Sequence, residues 1–145
     1  RDLVRSRGLG DVYKRQVSHF VPNVGLFTKD PALFCGGSAW ADAAVICPWQ
    51  LYQAYGDKEL LREHLPMMQK WVEYVCRAAG DSCIWSTGHQ YGDWLALDAG
   101  EGNYTGASRK EFIATAFYAH SAQLLAQAMD ALDMDGAAYL RLFRW

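Results

Sequence analysis

Between Ile84 and Thr105 the chain carries His89, Asp93, Asp98 and Glu101 among four aromatic residues, Trp85, Tyr91, Trp94 and Tyr104. This stretch has neither the 3.6-residue nor the 2-residue hydrophobic period. Its glycines permit the sharp turns that would bring those side chains together. Aromatic rings beside carboxylates suit a polyhydroxylated ligand. The rings cover the apolar C–H faces of a sugar, and the carboxylates accept its hydroxyl hydrogens. The competing reading is an ordered loop whose aromatics plug the ends of neighbouring helices. The loop residues alone do not separate the two, although a long loop inside a helical chain is more often functional than filler.

Other chemistry finds little support. The four cysteines, Cys35, Cys47, Cys76 and Cys83, lie 12, 29 and 7 positions apart, with no close pair and no histidine at ligand spacing. Reduced cysteines that pack in the interior are expected, with a Cys76–Cys83 bridge across a helix end left open. No metal or cofactor is implied: the chain has no glycine-rich phosphate loop and no Gly-x-Ser-x-Gly nucleophile signature. A net charge of −2 offers no electrostatic footprint for nucleic acid or an anionic membrane. No apolar run is long enough to span a bilayer and no secretory signal opens the chain, so a cytoplasmic setting is expected.

The elements that would position the loop are helical. Ser38 is expected to cap a helix running to Tyr55, with Trp40, Ala44, Cys47, Leu51 and Tyr55 on its apolar face and a bend at Pro48. Gly56 suits a left-handed terminator and Asp57 a cap for the next helix, an arrangement that makes an antiparallel hairpin. That second helix is expected to be interrupted near Pro66 and to end at Gly80. His64, Met68, Trp71 and Val75 mark its face, widened by Val72 and Cys76. Ser108 to Glu111 has capping-box spacing before an Ala-rich third helix, whose face is Phe112, Ala116, Leu124, Ala128 and Leu132. Asp135 is expected to cap a last helix reaching Trp145. The fold class is therefore all-α, about two antiparallel helical hairpins joined by a long functional loop.

Residues 1–16 do not match the rest. They contribute +3, which leaves −5 on the remaining 129 residues. The segment resembles translated sequencing-adapter read-through and is set aside, a genuine basic arm being the alternative.

Three passages, taken in order and spacing, resemble the catalytic domain of bacterial α-L-rhamnosidases of the inverting, six-hairpin type. The first runs from Trp40-Ala41-Asp42-Ala43 through Pro48-Trp49 to Tyr55-Gly56-Asp57. The second is Met68-Gln69-Lys70-Trp71-Val72-Glu73-Tyr74. The third holds Thr87-Gly88-His89, Tyr91-Gly92-Asp93-Trp94 and Glu101-Gly102, and continues to Ile113–Ala119. The resemblance covers residues 17–143 and implies part of an (α/α)6 barrel built of six hairpins around a sugar pocket. It implies a fragment of an enzyme that removes terminal α-L-rhamnose, with a rhamnose-containing glycoside and the rest of the barrel as partners. The motifs holding that family's general acid and general base have no match here, so no catalytic residue is carried over. Trp40 and Trp94 match positions that wall the rhamnose subsite, where they are expected to face a shared cavity. Asp42 and Asp93 accompany them, to hold hydroxyls or to brace the loop, and His89 and Tyr91 are added for their proximity. Asp98 and Glu101 read as solvated loop charges. The alternatives are another six-hairpin glycosidase or a non-catalytic helical carbohydrate-binding module. A fragment of such a barrel should also leave apolar faces uncovered, with Trp40, Trp71, Phe112 and Phe117 among them, and should hydrolyse nothing by itself.

Overall fold

Two residues, Gly56 and Asp57, turn the chain between its first two helices. The computed structural model describes residues 17–19 and 34–143, so the segment 1–16, Pro22 and Trp145 lie outside the described residues. Helix α1 (Ala43–Tyr55) ends where Gly56 adopts φ 68° and its N–H bonds the Tyr52 carbonyl. Asp57 then accepts hydrogen bonds from the N–H groups of Glu59 and Leu60, both at 3.0 Å, and opens α2 (Lys58–Ala79). This cap satisfies donors that a helix N-terminus otherwise leaves to water. Gly80, at φ 61°, stops α2 as expected.

Helix α2 runs unbroken through Pro66, contrary to the expected interruption. Pro66 is exposed, as is Arg62 four residues earlier. The carbonyl deprived of its partner thus lies on the solvent side, where water replaces the lost bond. The buried stripe of α2 is Leu61, Leu65, Met68, Trp71, Val72, Val75 and Ala79, a 3.6-residue pattern that places most of the expected face inside. Trp71 has 0% of its surface exposed, so it is not one of the uncovered residues. It packs edge-on to Trp85, with ring centroids 5.8 Å apart, and stacks on Tyr74 at 5.5 Å. Trp85 is buried between α2 and the neighbouring Thr115, whose Oγ1 accepts from the Trp85 N–H at 3.0 Å.

Helix α1 departs from its expected course in two ways. It begins at Ala43, and residues 38–42 form turns in which Ala39 takes φ 67°. Its buried residues are Ala44, Val45 and Pro48, whereas Cys47, Leu51 and Tyr55 face outward. Cys47 is therefore not a packing cysteine, and none of the four cysteines is in a disulfide, so Cys76 and Cys83 are not bridged.

Helix α3 (Lys110–Ala131) packs against α1 and α2. No side chain caps its start, and Glu111 pairs with Arg109, so no capping box forms. Up to its middle, α3 buries Ala114, Tyr118, Ser121 and Ala122, while Phe112 is 72% exposed. Leu124, Ala128 and Leu132 are buried as expected. Asp135 accepts from the Ala137 N–H at 2.9 Å before α4 (Ala137–Leu140), a single turn extended by a 3₁₀ turn, Arg141–Phe143. Gly136 lies so close to α3 that a Cβ there would fall 2.6 Å from the Ala126 carbonyl oxygen. The chain thus doubles back on α3.

The architecture is all-α, one complete hairpin and the start of a second. Among the described residues the only bridges are isolated, Ser18 with Cys35 and Trp94 with Thr105. No described helix is long and apolar enough to cross a membrane.

Candidate functional site

The turn before α1 is held by Asp42, and everything beside it depends on that anchor. One carboxylate oxygen, Oδ1, accepts from Trp71 Nε1 at 2.9 Å on α2 and from Ser121 Oγ at 2.5 Å on α3. The other, Oδ2, accepts from the Ala39 N–H at 2.8 Å. Asp42 is fully buried. Burial pushes its carboxyl above the usual carboxylate range, and the three hydrogen bonds pull it part of the way back. Of the two roles expected for Asp42, holding sugar hydroxyls or bracing, its inward hydrogen bonds fit bracing: it fixes the turn that carries Trp40.

That turn delivers Trp40 to an aromatic group centred on Tyr91. The ring of Tyr91 lies 5.7 Å from Trp40, 4.8 Å edge-on from His89 and 5.6 Å edge-on from Trp94. Trp94 in turn stacks on Tyr104 at 5.8 Å with 22° between the planes. Trp40 and Trp94 remain 46% and 49% exposed. Two indoles, half open to solvent and joined through one phenol, form an apolar wall with polar edges.

Local backbone features set the far side of the wall. Trp94 and Thr105 form an antiparallel bridge, with Leu95 N–H to Tyr104 O at 2.6 Å and Gly106 N–H to Asp93 O at 2.9 Å. The loop between them is closed on itself. A side chain at Gly106 would crowd the neck, because a Cβ would meet Ala96 Cβ at 2.5 Å, with Asp98 Oδ1 and Asp93 Oδ2 at 2.7 and 2.8 Å. Asp93 therefore sits over the loop neck, next to the wall. Asp98 accepts from the Ala107 N–H at 3.2 Å and is exposed, in keeping with a loop charge. A cavity of about 330 Å3 opens beside the wall, lined by Ser86, Gly88, His89, Gln90, Lys110 and Glu111. Neither Trp40 nor Trp94 is among its walls, so the two indoles meet through Tyr91 and not across this cavity.

Two participants were not found by sequence reasoning. Gln90 is buried and links the loop to the turn before α1, its Oε1 accepting from the Ser38 N–H at 2.9 Å and its Nε2 donating to the Thr87 carbonyl at 3.1 Å. His19 is also buried. Its backbone pairs with Phe34, N–H to O at 2.9 Å, and its ring lies between Gly37 and Tyr91. The contacts that tie them into the site, Gln90 to Ser38 and His19 to Tyr91, span 52 and 72 positions, so no local pattern marks them.

Burial, and secondarily the neighbouring His89, lowers the His19 pKa from 6.5 to about 4. The unfolded chain then binds a proton that the fold excludes between those two values, so the His19 contribution to stability is full above pH 6.5 and falls as the pH drops toward 4. Replacing His19 by Gln should flatten that part of the profile. Urea midpoints measured every half unit of pH for both proteins would check this, and equal slopes over the window would contradict it.

Comparison with known proteins bears on the site. Residues 7–143 match the family model described as the bacterial α-L-rhamnosidase 6 hairpin glycosidase domain. An α-L-rhamnosidase of Streptomyces avermitilis is 40% identical over 108 residues, covering 74% of this chain and 10% of that protein. One from Formosa agariphila is 35% identical over 109 residues, covering 74% of this chain and 12% of its own length. The crystal structure of the Streptomyces avermitilis α-L-rhamnosidase complexed with L-rhamnose superposes with a TM-score of 0.70 at 32% identity, over 98% of this chain and 12% of that one. The chain spans about a tenth of the length of these relatives.

Proposed function

Because the chain belongs to the six-hairpin glycosidase domain family of bacterial α-L-rhamnosidases, we propose that it forms part of the sugar-binding wall of an inverting enzyme that removes terminal α-L-rhamnose from glycosides. The observation that carries this reading is the pair of half-exposed indoles, Trp40 and Trp94, joined through Tyr91. Flat apolar faces of that kind match the C–H face of a deoxyhexose, and the nearby Tyr91 hydroxyl and Asp93 carboxylate supply polar partners for its hydroxyls. Bound in this way, the ring is held in register for attack at its anomeric carbon.

Inversion needs two carboxyl groups roughly 6.5–9.5 Å apart, one protonating the leaving oxygen and the other activating a water. We assign neither role to a residue of this chain and place both in the remainder of the barrel. That remainder also explains the apolar surface left open here. A cavity of about 400 Å3 lined by Ile84, Phe112 and Thr115, with Arg109 and Glu111 at its edge, is a seat for a neighbouring hairpin.

Grafting residues 34–143 in place of the aligned passage of the Streptomyces avermitilis relative should give a chimaera that releases nitrophenol from a nitrophenyl α-L-rhamnoside. The purified chain alone should release none above a mock purification. A folded but inactive chimaera would contradict the rhamnoside reading, and turnover by the isolated chain would place the catalytic pair within it.

A further inference from the structure

His19 has a ring geometry that decides where a proton sits. The backbone N–H of Gly37 can only donate, and it points at His19 Nε2 from 2.7 Å. Nε2 must therefore be the bare, accepting nitrogen, and the neutral ring carries its proton on Nδ1. Nδ1 lies 3.1 Å from the Tyr91 hydroxyl oxygen, so the imidazole donates and the phenol accepts. Gly37 has no side chain to disturb this contact: a Cβ there would sit 2.7 Å from Nε2 and 3.1 Å from the His89 carbonyl oxygen. The two rings meet at 62° with centroids 5.2 Å apart, a geometry that holds the imidazole against the phenol. The backbone pairing of residues 17–19 with 34–36 keeps the imidazole in place.

We propose that His19 is a positioning residue: by donating from Nδ1 to Tyr91, it commits the phenol oxygen as acceptor on the buried side and leaves the phenol's own proton to be given to a sugar hydroxyl beside Trp40 and Trp94. A Tyr hydroxyl without such a neighbour rotates and can meet a ligand as donor or as acceptor. With His19 donating to one lone pair, the Tyr91 proton turns away from the imidazole and the phenol meets a ligand first as a donor. The wall then favours a ligand that presents a hydroxyl lone pair at that point, which is a rule about sugar orientation and not merely about affinity. This inference rests on the sugar-wall reading above. The lowered basicity of His19 agrees with it, since a ring that stays neutral keeps Nε2 available for Gly37.

The test has a part that does not depend on any ligand. Two-bond 15N–1H spectra of the histidine rings in the intact chain should show His19 as the neutral Nδ1–H tautomer at pH 7, still unprotonated at pH 5.5. An Nε2–H ring, or one that titrates near 6.5, would overturn the proposal. The second part titrates L-rhamnose into the chain and into His19→Ala, Tyr91→Phe and the double variant. His19→Ala and Tyr91→Phe should each weaken binding by about three- to tenfold, and the double variant should be no weaker than Tyr91→Phe alone. His19→Asn, whose amide keeps a donor near the Nδ1 position, should restore part of the loss. Losses that multiply in the double variant, or a His19→Ala protein that binds as wild type does, would overturn the inference while leaving the sugar wall intact. A wild-type chain with the Nδ1–H tautomer and no saturable binding would overturn the sugar reading itself, and with it the ligand role given to His19.

Discussion

Replacing Asp42 by Ala should cost the fold at least about 3 kcal/mol. The change removes the acceptor of the buried Trp71 Nε1 and Ser121 Oγ and of the Ala39 N–H at the edge of the turn. Each buried group left unpaired costs about 1–3 kcal/mol, and the loss would be a large share of the net stability of a small domain. The Asn variant separates the contributions. Its single carbonyl can replace Oδ1 and keep Trp71 and Ser121 bonded, but its NH2 would then face the Ala39 N–H, donor against donor. Asp42→Asn should therefore lie between wild type and Asp42→Ala. Urea unfolding followed by circular dichroism would rank them. An Asp42→Ala protein as stable as wild type would show that these bonds do not hold α1, α2 and α3 together.

The second large effect is on turnover. In the chimaera carrying residues 34–143, Trp40→Ala with Trp94→Ala should lower kcat/KM for a nitrophenyl α-L-rhamnoside by at least about a hundredfold. Each indole face withdrawn from a sugar forfeits on the order of 1.5–3 kcal/mol of apolar contact, and 1.36 kcal/mol is a factor of ten in rate. Stability should change little, because both side chains are already half in water. This contrast with Asp42 is the informative one: the aspartate holds the turn, and the tryptophans meet the ligand. Unchanged kcat/KM in the double variant would remove both from the site.

The parts of the fold that could be read from sequence are those decided locally. Gly56 and Asp57 announce a helix stop and a helix start because both act within four residues. The face of α2 follows from spacing because polar residues fill the rest of its circumference. Helix α3 is different. Its alanines make it apolar nearly all round, so periodicity could not choose a face: of the residues grouped by spacing, Leu124, Ala128 and Leu132 are buried while Ala116 and Phe112 are exposed, Phe112 in keeping with an uncovered apolar face. The start of α1 was misplaced for another reason. Residues 38–42 turn because Asp42 is claimed by Trp71 and Ser121, 29 and 79 positions away. Nothing local reports such bonds. The same separation hid His19 and Gln90, while Trp40 and Trp94 were reached through family motifs and Tyr91 through its proximity to them, none of the three through periodicity.

The most direct test of the sugar wall uses four of the tryptophans as mutual controls. In a 15N–1H spectrum of the chain titrated with L-rhamnose, the indole N–H signals of Trp40 and Trp94 should shift together and saturate. Those of Trp71 and Trp85, both buried in the helical core, should stay in place. Shifts confined to Trp71 and Trp85, or no saturable shift at Trp40 and Trp94, would contradict the account.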